Sequence, residues 1–75
     1  MNLVIDIGNS LQKVAIFDSF DQIVFIESFP NITIQQLQKL FQEFPIEKCM
    51  IACVGNLDPT IVKFIEQKTR LISFT

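Results

Sequence analysis

Residues 3–13 read LVIDIGNSLQK, and this stretch predicts a β-hairpin at the start of the chain. Residues 3–7 form an apolar strand that carries one acid, Asp6, and ends at Gly8 and Asn9. A second strand is predicted over residues 12–18, so only residues 8–11 connect the two. A connection of that length is typical of a tight hairpin between antiparallel strands.

The pattern after the hairpin changes from strand spacing to helical spacing. A third strand is predicted over residues 23–29, and a helix follows it. Asn31 or Thr33 could cap the start of this helix, and Pro45 ends it. The apolar face of the predicted helix consists of Ile34, Leu37, Leu40, Phe41 and Phe44.

The last third of the chain predicts a strand, a helix and a strand. Residues 48–54 read KCMIACV, and the continuous apolar run after Lys48 is typical of a strand covered on both faces. Asp58 caps a second helix with Pro59 at its first position, and residues 70–74 resemble a final strand. The order β-β-β-α-β-α-β predicts an α/β fold with a mixed sheet that is parallel in part.

Composition and charge exclude several classes of protein. The 75 residues allow one small domain, which buries only roughly 60% of the surface of its unfolded chain. Since 49% of the residues are hydrophobic, we expect some apolar surface to cover another part of a longer protein or a partner; a compact Phe-rich core is the alternative. A net charge of −2 without a basic stripe argues against nucleic acid as a partner.

The chain shows no membrane-spanning run and no secretory signal, so a cytoplasmic protein is predicted. Cys49 and Cys53 are the only cysteines, and histidine is absent. Four residues of strand span roughly 13 Å, whereas a disulfide needs Cα atoms within about 7 Å. We therefore expect reduced, buried thiols and no zinc site.

Asp6 is the first residue that could carry chemistry. A carboxylate between Ile5 and Ile7 is costly to bury without a partner. Mg²⁺ held together with substrate phosphates would be one such partner. Equally, the Asp6 side chain could cap the turn that follows it. The strand alone does not separate these two interpretations.

The turn after Asp6 has the composition of an anion-binding turn. Gly8 and Asn9 are expected to accept positive φ, and Ser10 adds a hydroxyl. Such a turn can direct several N–H groups at phosphate oxygens. Lys13 could reach the same anion, or could be a solvated lysine on a strand. The spacing matches neither a Walker A loop nor a dinucleotide fingerprint.

DIGNS at residues 6–10, opening a hairpin at the start of the chain, resembles the first phosphate motif of the acetate kinase, sugar kinase, Hsp70 and actin superfamily. Within that superfamily it is similar to the type III pantothenate kinase (Bvg accessory factor-like) family. The resemblance implies a ribonuclease H-like, actin-like ATPase lobe that is incomplete. Residues 1–75 would be the truncated N-terminal nucleotide-binding lobe, with the C-terminal half and the second lobe outside this chain.

The same resemblance implies a function. Family members phosphorylate pantothenate with ATP to 4'-phosphopantothenate, the first step towards coenzyme A. The resemblance implies Mg²⁺ as a cofactor and suggests a monovalent cation, K⁺ or NH₄⁺, as a further one. It also implies that the full-length protein is a cytoplasmic homodimer. Asp6 would be the catalytic and metal-binding residue. The implied ATP-binding residues are Asp6, Ile7, Gly8, Asn9, Ser10, Leu11, Gln12 and Lys13.

The chain departs from the family at two points. Residues 52–56 read ACVGN where family members often carry S-S-V-V-P. The pantothenate pocket, the second phosphate motif and the implied catalytic base, an Asp in a G-x-D-R segment, would lie outside the chain. Asp18 and Asp21 are interpreted as turn residues and Asp58 as a helix cap.

Two other functions stay open at this stage. The phosphate motif is shared across the superfamily, so a sugar or acetate-type kinase or an actin-like ATPase fits the same residues. A non-catalytic assembly module would instead account for the excess of apolar residues.

Overall fold

The computed structural model describes residues 1–74 and shows the predicted order of strands and helices. The elements are β1 (Asn2–Ile7), β2 (Gln12–Phe17), β3 (Ile23–Phe29), α1 (Ile34–Glu43), β4 (Lys48–Cys53), α2 (Pro59–Lys68) and β5 (Arg70–Phe74). No helix of this described part is long and apolar enough to cross a membrane.

The strands form one mixed sheet in the order β3-β2-β1-β4-β5. β1, β2 and β3 form the predicted antiparallel meander. β4 then pairs in parallel with β1, and β5 in parallel with β4, because helices connect these strands. The mixed α/β architecture predicted from the sequence is confirmed, and β1 is its central strand.

The core lies between one face of the sheet and both helices. Leu3, Ile5 and Ile7 of β1 are buried in a cluster with Leu37 of α1 and Ile65 of α2. These β1 residues point to one face because successive side chains of a strand alternate between faces. The helices also contact each other, since Phe41 and Phe64 pack edge to face with ring centroids 5.7 Å apart.

The prediction that residues 48–54 are covered on both faces is wrong. In β4, Cys49 and Ile51 are buried, whereas Met50 is 47% exposed and Ala52 is exposed. The reason is that α1 and α2 both contribute to the core on one face. The opposite face of the sheet is called the open face below. Within residues 1–74 it carries the side chains that alternate with the core side chains along the strands.

The open face carries a continuous apolar row across the sheet. Ile26 of β3 pairs with Ala15 of β2, Ala15 with Val4 of β1, and Val4 with Met50 of β4. Ile26 is 55% exposed. Exposed apolar side chains are therefore present, as the composition predicts, and Ile26 and Met50 are the ones that lie in this row.

Both cysteines are free, as predicted, and lie on the core face of β4. Cys49 is buried and Cys53 is half-buried. Burial raises the pKa of the Cys49 thiol to about 12, because the thiolate would lose its hydration.

Thr33, and not Asn31, caps the first helix, which begins at Ile34. The Thr33 hydroxyl accepts a hydrogen bond from the Gln36 amide at 3.2 Å, and the Gln36 side chain accepts one from the Thr33 amide at 2.9 Å. This reciprocal capping box satisfies amide groups that have no partner inside the helix.

We expect Thr33→Ala to lower the free energy of unfolding by about 1 kcal/mol, because the amide of Gln36 loses its acceptor. Thr33→Ser keeps the hydroxyl and should stay close to the parent chain. Urea unfolding followed by circular dichroism measures both. Equal stability of the alanine variant and the parent would contradict the assigned cap.

We expect iodoacetamide to modify Cys53 well before Cys49 in the folded chain at pH 8, because only the thiolate reacts and burial suppresses it at Cys49. Both cysteines lie in the tryptic peptide of residues 49–63, so fragment-ion mass spectrometry of that peptide gives the two rates. In urea both cysteines should react at similar rates. Faster native labelling of Cys49 would contradict the core described above.

Candidate functional site

The chain brings the turn between β1 and β2 and the starts of both helices to one edge of the sheet. β1 and β4 are parallel, and β3 runs in the same direction because both β1 and β3 are antiparallel to β2. Residues 8–11, which follow β1, therefore lie at the same edge as the starts of α1 and α2. Ligands of open α/β sheets bind at this edge, beyond the carboxyl ends of the strands.

The turn at residues 8–11 is closed by a hydrogen bond between its ends. The amide of Gly8 donates to the carbonyl oxygen of Leu11 at 3.0 Å. Neither Gly8 nor Asn9 uses the positive φ that glycine and asparagine tolerate, since Asp21 is the only residue with positive φ in the described chain. Gly8 is required for space instead, because a Cβ there would lie 3.1 Å from the Leu11 oxygen.

The middle of this turn presents amide groups to solvent. Among residues 1–74, the N–H groups of Asn9, Ser10 and Leu11 donate to no carbonyl or side chain of the protein. All three residues are exposed. Successive unpaired amides on an exposed turn are the arrangement that binds anions.

Asp6 lies on the open face and is exposed, so the expectation of a buried carboxylate is wrong. Its neighbours Ile5 and Ile7 point to the core, and alternation along the strand directs Asp6 the other way. An exposed carboxylate keeps its hydration and needs no partner for stability. Among the described residues Asp6 caps no turn, unlike Asp18, which accepts from the amides of Phe20 and Gln22.

Lys13 is directly opposite Asp6 on the neighbouring strand. Cβ atoms of such cross-strand neighbours are roughly 5 Å apart, and both residues are exposed. The two side chains therefore flank the turn on the same face of the sheet. An anion held by the turn would have a cation and a carboxylate within reach.

Asp6 fits a shared metal site better than a site built from protein ligands alone. The described residues contain no group of three or more His, Cys, Asp or Glu side chains that could hold a metal ion. Mg²⁺ commonly takes one or two carboxylates and completes its coordination with phosphate and water. A single exposed carboxylate beside an anion-binding turn matches that donor set.

The remaining predicted ATP-binding residues have structural contacts. The Ile7 side chain is in the core, and its carbonyl oxygen accepts from the Val54 amide at 2.9 Å. The Gln12 side chain accepts from the Ile32 amide at 2.6 Å and so ties β2 to the segment before α1. Leu11 is exposed within the turn. The structure thus brings Asp6, the turn and Lys13 together. The side chains of Ile7 and Gln12 make their contacts elsewhere in the fold.

The other acids have the structural roles expected of them. Asp18 caps the β2–β3 turn, and Asp21 in that turn has a φ of 59°. Asp58 caps α2 by accepting from the Thr60 amide at 2.9 Å. Hydrogen bonds from the Thr60 amide and then from its hydroxyl lower the pKa of Asp58.

Sequence reasoning missed the part played by Gly55. Gly55 lies in the loop that follows β4, and a Cβ built on it would lie 3.0 Å from the carbonyl oxygen of Gly8. The loop after β4 and the turn after β1 therefore touch through two glycines. The presence of glycine at both positions, each just past a strand of a predicted parallel pair, was the available signal.

The chain is similar to known enzymes over most of its length. It is 39% identical over 67 residues to a type III pantothenate kinase of Phocaeicola vulgatus, and the match covers 89% of the chain. It is 31% identical over 62 residues to type III pantothenate kinases of two Bacteroides fragilis strains. The chain resembles type III pantothenate kinases. The resemblance inferred from residues 6–10 is thereby confirmed.

These similarities cover only part of each relative. The match spans 27% of the length of the P. vulgatus enzyme and 25% of each B. fragilis enzyme. The chain therefore spans about a quarter of the length of the curated relatives that it matches. No protein-family profile matches the chain.

We expect pyrophosphate at millimolar concentration to shift the ¹⁵N–¹H signals of Asn9, Ser10 and Leu11 more than any others, because these amides are free donors. Lys13→Gln should weaken the effect, and Lys63→Gln on the exposed side of α2 should not. Shifts centred on residues 33–36 or 59–61 would contradict this expectation, because they would place the anion at a helix start.

Proposed function

We propose that this chain is the first nucleotide-binding lobe of a type III pantothenate kinase-like phosphotransferase. The reaction is the transfer of the γ-phosphoryl group of ATP to pantothenate, giving 4'-phosphopantothenate and ADP. The observation that carries the proposal is the exposed turn at residues 8–11, with its unpaired amides between Asp6 and Lys13. It occurs in a chain that resembles these kinases over 89% of its length.

The architecture supports a lobe of the ribonuclease H-like, actin-like type. A mixed sheet in the order β3-β2-β1-β4-β5, with β2 antiparallel to its neighbours, matches what the resemblance implies for the first lobe. Residues 1–75 would be this lobe in truncated form. The remaining parts of the enzyme, including the second lobe, would supply the pantothenate pocket and the catalytic base.

The turn would bind phosphate oxygens of ATP. The phosphate chain carries several negative charges, and phosphoryl transfer depends mainly on its positioning and on charge neutralisation. Amides of Asn9, Ser10 and Leu11 would donate to these oxygens without first breaking a hydrogen bond within the protein. The Lys13 ammonium, on the adjoining strand, would neutralise part of the charge.

Asp6 would hold Mg²⁺ against the phosphates, which is the catalytic role proposed for it. When bound, the metal would offset charge that develops on the phosphate oxygens. Ile7 and Gln12 would have structural roles, because Ile7 anchors β1 in the core and Gln12 fixes the start of β2. Their side chains would not contact the nucleotide.

The reaction also needs groups from outside this chain. The bond between the γ-phosphorus and the oxygen bridging to the β-phosphate breaks, and a hydroxyl oxygen of pantothenate forms the new bond to phosphorus. That hydroxyl loses its proton to a base, and ADP leaves with the electron pair of the broken bond. Asp18, Asp21 and Asp58 are committed to turns and a cap, so we propose that the base lies elsewhere and that the chain alone is inactive.

The wider context belongs to the same proposal. The cofactors would be ATP and Mg²⁺, with K⁺ or NH₄⁺ as a further cation. The complete enzyme would be a cytoplasmic homodimer that uses pantothenate and binds neither nucleic acid nor membranes. Another kinase or ATPase of the superfamily would use the same turn, and a panel of acceptor substrates separates that alternative.

The open face favours a second candidate, an assembly module. Its apolar row includes Ile26 and Met50, both substantially exposed. Such a module would form a discrete oligomer whose size does not respond to nucleotide. Gel filtration with and without millimolar ATP distinguishes it from the kinase.

The test uses a chimera in which the 67-residue segment of this chain that matches the P. vulgatus enzyme replaces its counterpart there. We expect the chimera to phosphorylate pantothenate with ATP and Mg²⁺. We expect Asp6→Asn to lower kcat at least about 100-fold, because removal of one preorganised charged group typically has that effect. A coupled assay of ADP release measures both.

Asp21→Asn is the matched control, because it removes an exposed acid and asparagine also tolerates positive φ. It should leave kcat within about twofold of the parent. A folded chimera without activity would overturn the proposed function. Near-normal turnover of the Asp6→Asn variant would overturn the role of Asp6 alone.

A further inference from the structure

The loop after β4 touches the turn after β1 at backbone level. A Cβ built on Gly55 would lie 3.0 Å from the carbonyl oxygen of Gly8 and 3.9 Å from Cγ2 of Ile7. Gly55 does not have positive φ. Its local conformation would therefore accept alanine, and the contact with Gly8 is what excludes a side chain.

Neither partner of this contact is free to move away. On one side, the Gly8 amide is bonded to the Leu11 oxygen at 3.0 Å. On the other, the Val54 amide is bonded to the Ile7 oxygen at 2.9 Å, and the Cys53 thiol donates to the Gly55 oxygen at 3.0 Å. Since the atom nearest to the added Cβ is backbone, relief requires a shift of the turn or of the loop.

The contact acts on the peptide group that presents the first free amide of the turn. The carbonyl of Gly8 and the N–H of Asn9 belong to one planar peptide unit. A rotation of this unit that moves the Gly8 oxygen therefore turns the Asn9 N–H by the same angle. The position of the Gly8 oxygen thus determines where the Asn9 amide points.

We propose that Gly55 is a positioning residue for the anion-binding turn, and that its lack of a side chain sets the direction of the Asn9 amide. This inference rests on the proposed function, in which that turn binds the phosphates of ATP. Gly55 itself contacts no substrate.

The experiment compares Gly55→Ala with Asn56→Ala in the chimera described above. For Gly55→Ala we expect kcat/KM for ATP to fall about 10- to 100-fold, because misplacement of a binding group by up to about 1 Å has effects of that size. The KM for pantothenate should stay within about twofold, since its pocket lies elsewhere. Asn56 is exposed and adjacent, so its alanine variant should leave both constants unchanged.

A change confined to the ATP constants supports positioning, whereas equal losses for both substrates or no loss would overturn it. If the Gly55→Ala variant does not fold, the pyrophosphate titration of the parent chain tests the inference instead. The Gly55 and Asn9 amide signals should then shift with the same midpoint, and an unmoved Gly55 signal would overturn the inference. An inactive parent chimera that gives no pyrophosphate shifts would instead reject the proposed function.

Discussion

The structure depends on the alternation of side chains along β1, the central strand of the sheet. Leu3, Ile5 and Ile7 point to the helices and form the centre of the core. The same alternation places Asp6 on the open face, one residue before β1 ends at Ile7. Hydrophobic burial at roughly 25 cal/mol per Å² fixes the register, since a slip by one residue would expose the core residues and bury Asp6.

The candidate site is made largely of backbone. Its donors are amides of an exposed turn, and glycines at positions 8 and 55 allow two backbone segments to approach each other closely. A site of this kind depends on strand register more than on the identity of its side chains. Parallel pairing of β1 with β4 brings the two segments together, because both follow strands that end at the same edge.

The open face carries an apolar row of Ile26, Ala15, Val4 and Met50 across the sheet. Ile26 and Met50 are exposed, whereas Val4 is half-buried and Ala15 is buried among its neighbours. Exposed apolar side chains that form larger patches mark contacts with other segments or partners. The match to only about a quarter of the length of the relatives is in keeping with such a surface.

Much of the candidate site could be predicted from the sequence alone, but part of it could not. The hairpin, the turn residues and the flanking Asp6 and Lys13 follow from local composition, and the resemblance to the kinase family rests on those residues. Burial of Asp6 and a two-sided cover for β4 were predicted incorrectly. An apolar run shows that a strand is hydrophobic, but which faces are covered depends on the side on which the helices cross.

The sequence by itself determined the strand and helix order, the cap of the second helix and the location of the candidate turn, because spacing, capping and turn formation are local properties. Only the tertiary structure decided that Asp6 is exposed and that Gly55 lies against Gly8. Those outcomes depend on pairing between strands that are far apart in the chain. Their geometry is set by packing of the whole sheet against the helices, which no local pattern contains.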